Sequence, residues 1–144
     1  MLMLLRAIDI KRICMFALSN IVNETEAKSL AVNLDDVKFF LETLQESVAS
    51  KNHYSIAESF STMDLLTGLK SLAACSEEIA IYEVNNGVIQ SLEHLFDRQD
   101  SFEEEILASI KLIWVLSFNQ TCKDGIIKSK VLDGIFLFSH CMYA

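Results

Sequence analysis

Apolar positions recur along this chain at intervals of three and four residues, in long stretches broken by short polar segments. That spacing predicts helices throughout. Long helices are expected at about 4–22, 56–74 and 102–119, each followed by a short helix and then a medium one; the medium helices fall near 36–49, 87–98 and 133–143. Ser55-x-x-Glu58 and Ser101-x-x-Glu104 read as capping boxes opening two of the long helices. Glu103, Glu104 and Glu105 suit the positive end of that helix dipole as a solvated helix start. Thr121-x-x-Asp124 could open a short helix in the same way, and Ala49 to Tyr54 reads as a loop. Helix 102–119 carries Ile106, Leu107, Ile110, Ile113, Trp114, Leu116 and Phe118, so it is apolar on more than one face and must be covered from several sides.

Laying the chain on itself brings out two recurring segments. The first reads Phe16-Ala17-Leu18-Ser19-Asn20, then Gly68-Leu69-Lys70-Ser71-Leu72, then Trp114-Val115-Leu116-Ser117-Phe118, with its serines 52 and 46 residues apart. The second reads Asp35-Asp36-Val37-Lys38-Phe39-Phe40, then Gly87-Val88-Ile89-Gln90-Ser91-Leu92, then Gly134-Ile135-Phe136-Leu137-Phe138, at offsets of 52 and 47. Two segments sharing nearly the same offsets predict a repeated three-helix unit. Ser19, Ser71 and Ser117 should then occupy equivalent sites, and Leu18, Ile21, Leu69, Leu92, Leu95 and Leu116 should be buried. The expected layout is a single domain over 1–144. It has an end helix at about 4–22, repeats at about 25–75 and 76–120, and a partial repeat at about 121–144.

Composition narrows the picture further. The chain has no proline and four glycines, too little turn material for an all-β fold. Its net charge of −8 and lack of any Lys/Arg cluster argue against binding nucleic acid. No apolar run approaches the roughly 20 residues needed to span a bilayer, so no membrane partner is expected. Cys14, Cys75, Cys122 and Cys141 lie far apart and read as reduced core residues, which places the chain in the cytoplasm, with the nucleus as the alternative. His140-Cys141 alone is too small a set for a metal site. No motif for nucleotide binding, metalloprotease or serine-hydrolase chemistry occurs, so no catalytic residue, cofactor or metal is assigned.

The signatures resemble the armadillo repeat family. In that family a third helix carries a Trp-Ala-Leu-Ser-Asn pattern, and a second helix opens with Gly-Ala-Ile-Pro. Phe16-Ala17-Leu18-Ser19-Asn20 matches the first with Phe for Trp, and Trp114-Val115-Leu116-Ser117-Phe118 matches it with Phe for Asn. Asn86-Gly87-Val88-Ile89-Gln90-Ser91-Leu92 is similar to the second with Gln for Pro. The resemblance implies an all-α, right-handed α-solenoid of three-helix repeats, with two-helix HEAT repeats as the alternative. No repeat here has both the Trp and the Asn that hold a basic peptide in importin-like members, and the spacings exceed the family's usual ~42.

The resemblance further implies a non-enzymatic module that binds a partner peptide or helix on a concave face. Arg12, Phe16 and Asn20, Asp64 and Gly68, and Lys111, Trp114 and Phe118 would line that face, with Trp114 readable either as groove or as core. The alternative is a regulatory armadillo segment of a larger enzyme, such as a TIR-domain or ubiquitin-ligase protein; a free-standing bundle is a third reading. Both ends are apolar, Met1 to Leu5 and Gly134 to Phe138, which implies a longer natural chain or self-association through an end.

Overall fold

A computed structural model describes residues 32–50, 54–55, 60–98 and 100–143, together with Cys14 and Ala17, both helical and exposed. Apart from those two positions, the helix expected at about 4–22 lies outside the described residues, and Leu18, Ser19 and Ile21 with it. The described residues form α1 (Leu34–Ala49), β1 (Tyr54–Ser55), β2 (Phe60–Ser61), α2 (Thr62–Cys75), α3 (Glu77–Asn85), α4 (Val88–Asp97), α5 (Glu103–Leu116), α6 (Gln120–Lys128) and α7 (Val131–Tyr143). The fold class is all-α. The antiparallel β1–β2 pair, Tyr54 opposite Ser61 and Ser55 opposite Phe60, is two residues long and forms no layer. None of the described helices is long and apolar enough to cross a membrane.

Helix starts follow caps, but not the expected ones. Asn33, Ser61 and Asn119 accept the backbone N–H of Asp35, Asp64 and Cys122, satisfying donors that a helix start leaves free. Ser55 instead lies in β1, and α2 begins several residues later, at Thr62. Phe60 explains the delay: it is buried against Phe39 and Phe40 at ring separations of 6.4 and 6.0 Å, which holds β2 extended. Ser101 caps nothing; its Oγ donates to the Leu95 carbonyl at 2.7 Å, and α5 starts at Glu103 with no side-chain cap. Gly87 carries a φ of +94°, a backbone conformation that only glycine adopts without strain, and it turns α3 into α4.

Leu69, Leu92, Leu95 and Leu116 are fully buried, as their recurrence predicted. The core is one cluster running from Val37 on α1 to Val131 on α7. α2 packs on α5 most extensively, then on its chain neighbours α1 and α3; α1 also packs on α4, α4 on α7, and α3 on α6. Their spacing differs from the one expected. Gln120 begins α6 43 residues after Glu77 begins α3, and Val131 begins α7 43 residues after Val88 begins α4. The same shift pairs buried Leu65, Leu66, Leu69 and Ala73 of α2 with buried Ala108, Ser109, Leu112 and Leu116 of α5. Val37, Leu41 and Leu44 of α1 precede buried Val88, Leu92 and Leu95 by 51 residues.

Ser71 and Ser117 are therefore not equivalent. Ser71 lies inside α2 with its Oγ on the Thr67 carbonyl, whereas Ser117 follows the last residue of α5. Nor do Gly87 and Gly134 correspond, since Gly87 forms a turn and Gly134 lies within α7.

Polar ties fix the connections. The Arg98 guanidinium donates to the carbonyls of Val48 and Ser50 at the end of α1, and to both Asp100 oxygens at 2.9 Å. The Asp100 hydrogen bond raises the Arg98 pKa against partial burial, and the charges of Asp100 and Glu105 add to it. Glu105 is buried, so only Glu103 and Glu104 form the solvated start foreseen for α5. Among the cysteines, Cys122 alone is core; Cys75 is half-buried, and Cys14 and Cys141 are exposed.

Gly134 sets the approach of α7 to α4. A Cβ at this position would stand 2.8 Å from both Cβ and Cγ of Phe96, atoms too close to the backbone to swing aside. Gly134→Ala should therefore lower stability. Overpacking costs about 1–3 kcal/mol and exceeds the roughly 1 kcal/mol that alanine adds to helix propensity. Urea titration of the two proteins checks it; a more stable variant would show that α7 has room to move.

Candidate functional site

The packing of α2 on α5 buries one face of each helix and leaves the opposite stripes side by side. On α2 the stripe is Met63, Thr67, Lys70 and Ala74; on α5 it is Glu104, Leu107, Lys111 and Trp114, with Phe118 in the turn that follows. Steps of three and four residues put each set along a single helix face. Between the two stripes lies a cavity of about 320 Å³, lined by Met63, Thr67 and Lys70 from one helix and Glu104, Leu107 and Lys111 from the other. Two ammonium groups and one carboxylate share it, so the lining is amphipathic.

Trp114 and Phe118 continue the α5 stripe. They are 66% and 73% exposed, and their rings meet edge to face at 5.4 Å and 85°. That geometry lets the edge of one ring meet the electron-rich face of the other, which holds both rings in place at the surface. Phe118 reaches a second cavity of about 360 Å³, walled by Ala73, Ala74, Cys75, Val115 and Asn119. Ser117 Oγ donates to the Trp114 carbonyl at 2.6 Å and closes the last turn between the two rings.

The structure thus brings Lys111, Trp114 and Phe118 together on one stripe and resolves the choice at Trp114 in favour of the surface. Asp64 is exposed in the first turn of α2, where its backbone N–H donates to Ser61 Oγ at 3.1 Å, but it does not line the cavity. Gly68 is buried and offers a partner nothing, which corrects its assignment to the binding face. The expected pairing set Gly68 opposite Trp114; at the observed spacing of 43 residues, Ser71 takes that place. Arg12, Phe16 and Asn20 lie outside the described residues.

Met63, Thr67, Lys70, Glu104 and Leu107 were not foreseen as lining. Their own periodicity, 63/67/70 beside 104/107/111, is the signal that could have found them. Among the described residues no group of three His, Cys, Asp or Glu side chains is placed to hold a metal ion.

The most unusual buried group lies away from this strip. Glu83 of α3 is fully buried, and neither carboxyl oxygen meets a hydrogen-bond partner among the described residues. Burial raises its pKa well above the ordinary carboxyl value. On α6 the thiol of Cys122 is likewise pushed up, by burial first and by the charge of Glu83 second.

No family model, curated protein or solved structure matches this chain.

Proposed function

We propose that this chain is a protein-interaction module, an armadillo-type α-solenoid segment that holds a peptide or helix of a partner protein along the α2/α5 strip. The observation that carries the reading is the Trp114–Phe118 pair, two large aromatic side chains ordered against each other in solvent beside an amphipathic cavity. Large exposed aromatics cost solubility and contribute little to the fold, whereas they dominate binding when a partner covers them. Stacking of equivalent helices at a spacing of 43 residues supports the repeat architecture, since 43 falls in the range of armadillo units.

Affinity capture with the intact chain, followed by titration of the recovered partner against the parent and a Trp114→Ala variant, tests the proposal. Loss of a central aromatic should weaken binding by about 2 kcal/mol or more, roughly thirtyfold. The same change should leave stability within about 0.5 kcal/mol, because the side chain is mostly in solvent. A partner that binds both proteins equally would place the interface elsewhere.

A further inference from the structure

A second surface lies on the side of α4 and α7. A cavity of about 480 Å³, larger than either on the α2/α5 strip, opens between these helices and the first turn of α5. Phe96, Ile106, Leu137 and Phe138 form its apolar wall. Leu137 is 69% exposed and its neighbour Phe136 71%, so apolar surface continues beyond the mouth. The rim is acidic. Asp97, Glu103 and Asp133 are exposed and line the opening, and none has a hydrogen bond or ion pair among the described residues. The basic groups beside them do not balance this charge. Arg98 is committed to Asp100 and the end of α1, which leaves Lys130 as the exposed cation of the rim. Glu93 is engaged too, accepting the Lys130 backbone N–H at 2.8 Å.

We propose that this face is a docking surface for a cationic amphipathic helix, separate from the α2/α5 strip and independent of the function proposed for it. Apolar side chains of the helix fill the cavity, and lysines or arginines flanking them meet Asp97, Glu103 and Asp133. The groove between two helices suits a helix with anchors three and four residues apart. The unbalanced acids select the sign of its charge, because an anionic helix would meet like charges at the rim.

A synthetic amphipathic peptide of leucine and lysine, about 18 residues long so that it can form a helix, is the probe; a leucine–glutamate peptide of the same pattern is its counterpart. Cys141 lines the cavity and is exposed, so its alkylation by a maleimide reports occupancy, with exposed Cys14 as reference. The cationic peptide should slow Cys141 alkylation and leave Cys14 unchanged. Combining Asp97→Asn, Glu103→Gln and Asp133→Asn should weaken its binding roughly tenfold or more at low salt. The charge-matched combination of Asp35→Asn, Glu42→Gln and Glu78→Gln, all exposed positions elsewhere, should leave it within about twofold. Leu137→Ser, which keeps every acid, should also weaken it.

Equal loss in the two charge variants would mean general attraction to an acidic chain and would overturn the proposal. So would equal protection of Cys141 by the leucine–glutamate peptide. Concentration-dependent protection of Cys141 without any peptide would give the face to a second copy of this chain, and would overturn it as well.

Discussion

A Glu83→Met variant will be more stable than the parent at neutral pH, and its stability will not fall as pH rises through the weakly acidic range. Glu83 is fully buried on α3 with both carboxyl oxygens unpartnered among the described residues. A polar group buried without hydrogen bonds costs about 1–3 kcal/mol by mutational measure, and an ionised one costs more. Methionine has a similar length and no such cost, and it adapts to irregular space.

The pH dependence follows from the raised pKa. Below the ordinary value of 4.5 the carboxyl is protonated in both folded and unfolded chains, so its titration does not change stability. Above that value the unfolded chain releases the proton while the folded chain keeps it. Stability then falls with pH, by up to about 1.4 kcal/mol per unit, until the folded carboxyl ionises in turn. Urea unfolding at a series of pH values checks both parts. Glu83→Gln separates them: it removes the pH slope but keeps a polar group buried, so it should recover less stability than methionine. A parent protein with no slope above pH 4.5 would show that the carboxyl ionises freely in the fold.

Glu83 also marks where sequence reasoning stops. A glutamate in a short helix reads as a solvent-facing position, and nothing in the pattern Glu77-Glu78-Ile79-Ala80-Ile81-Tyr82-Glu83 indicates that its face is covered twice. α3 packs against α1, α2, α4 and α6, contacts that local periodicity does not contain. The helices themselves were legible. The medium helices near 36–49, 87–98 and 133–143 correspond to α1, α4 and α7 within three residues at either end. Buried Leu41 and Leu44 of α1 recur as buried Leu92 and Leu95 of α4, which made those two helices readable.

The register between helices was not legible, for a specific reason. A serine shared by two segments says nothing of which helix face is covered, and at an offset of 46 buried Leu65 and Leu72 would fall on exposed Lys111 and Phe118. The offset of 46 inferred from Ser71 and Ser117 differs by three from the 43 observed between α3 and α6. That slip set buried Gly68 against Trp114, a place that Ser71 takes at 43. The capping boxes misled through a different competition. A Ser-x-x-Glu pattern permits a helix start, but Phe60 gains more from burial against Phe39 and Phe40 in an extended segment. Within the strip, Lys111, Trp114 and Phe118 were legible because they lie within one short stretch, the end of α5 and the turn after it, and need no register.

Leu116→Ala should be the most damaging single change considered. Leu116 ends α5, whose packing on α2 is the most extensive helix pair in the fold, and its side chain is fully buried. Truncation removes apolar area from the core and leaves a cavity that the neighbouring helices fill only in part. Such changes cost about 2–5 kcal/mol, a large share of the 5–15 kcal/mol that stabilises a typical domain. The urea midpoint should fall while the slope of the transition stays constant, because the surface exposed on unfolding barely changes. Leu107→Ala on the same helix is the internal comparison. Leu107 is exposed beside the α2/α5 cavity, so its loss should move the midpoint little while weakening any partner seated there. The two leucines thus separate what holds the helices together from what the strip offers outward. A midpoint that moves equally for both, or barely for Leu116→Ala, would mean that α5 packs in another register, and the stripe through Lys111, Trp114 and Phe118 would have to be redrawn.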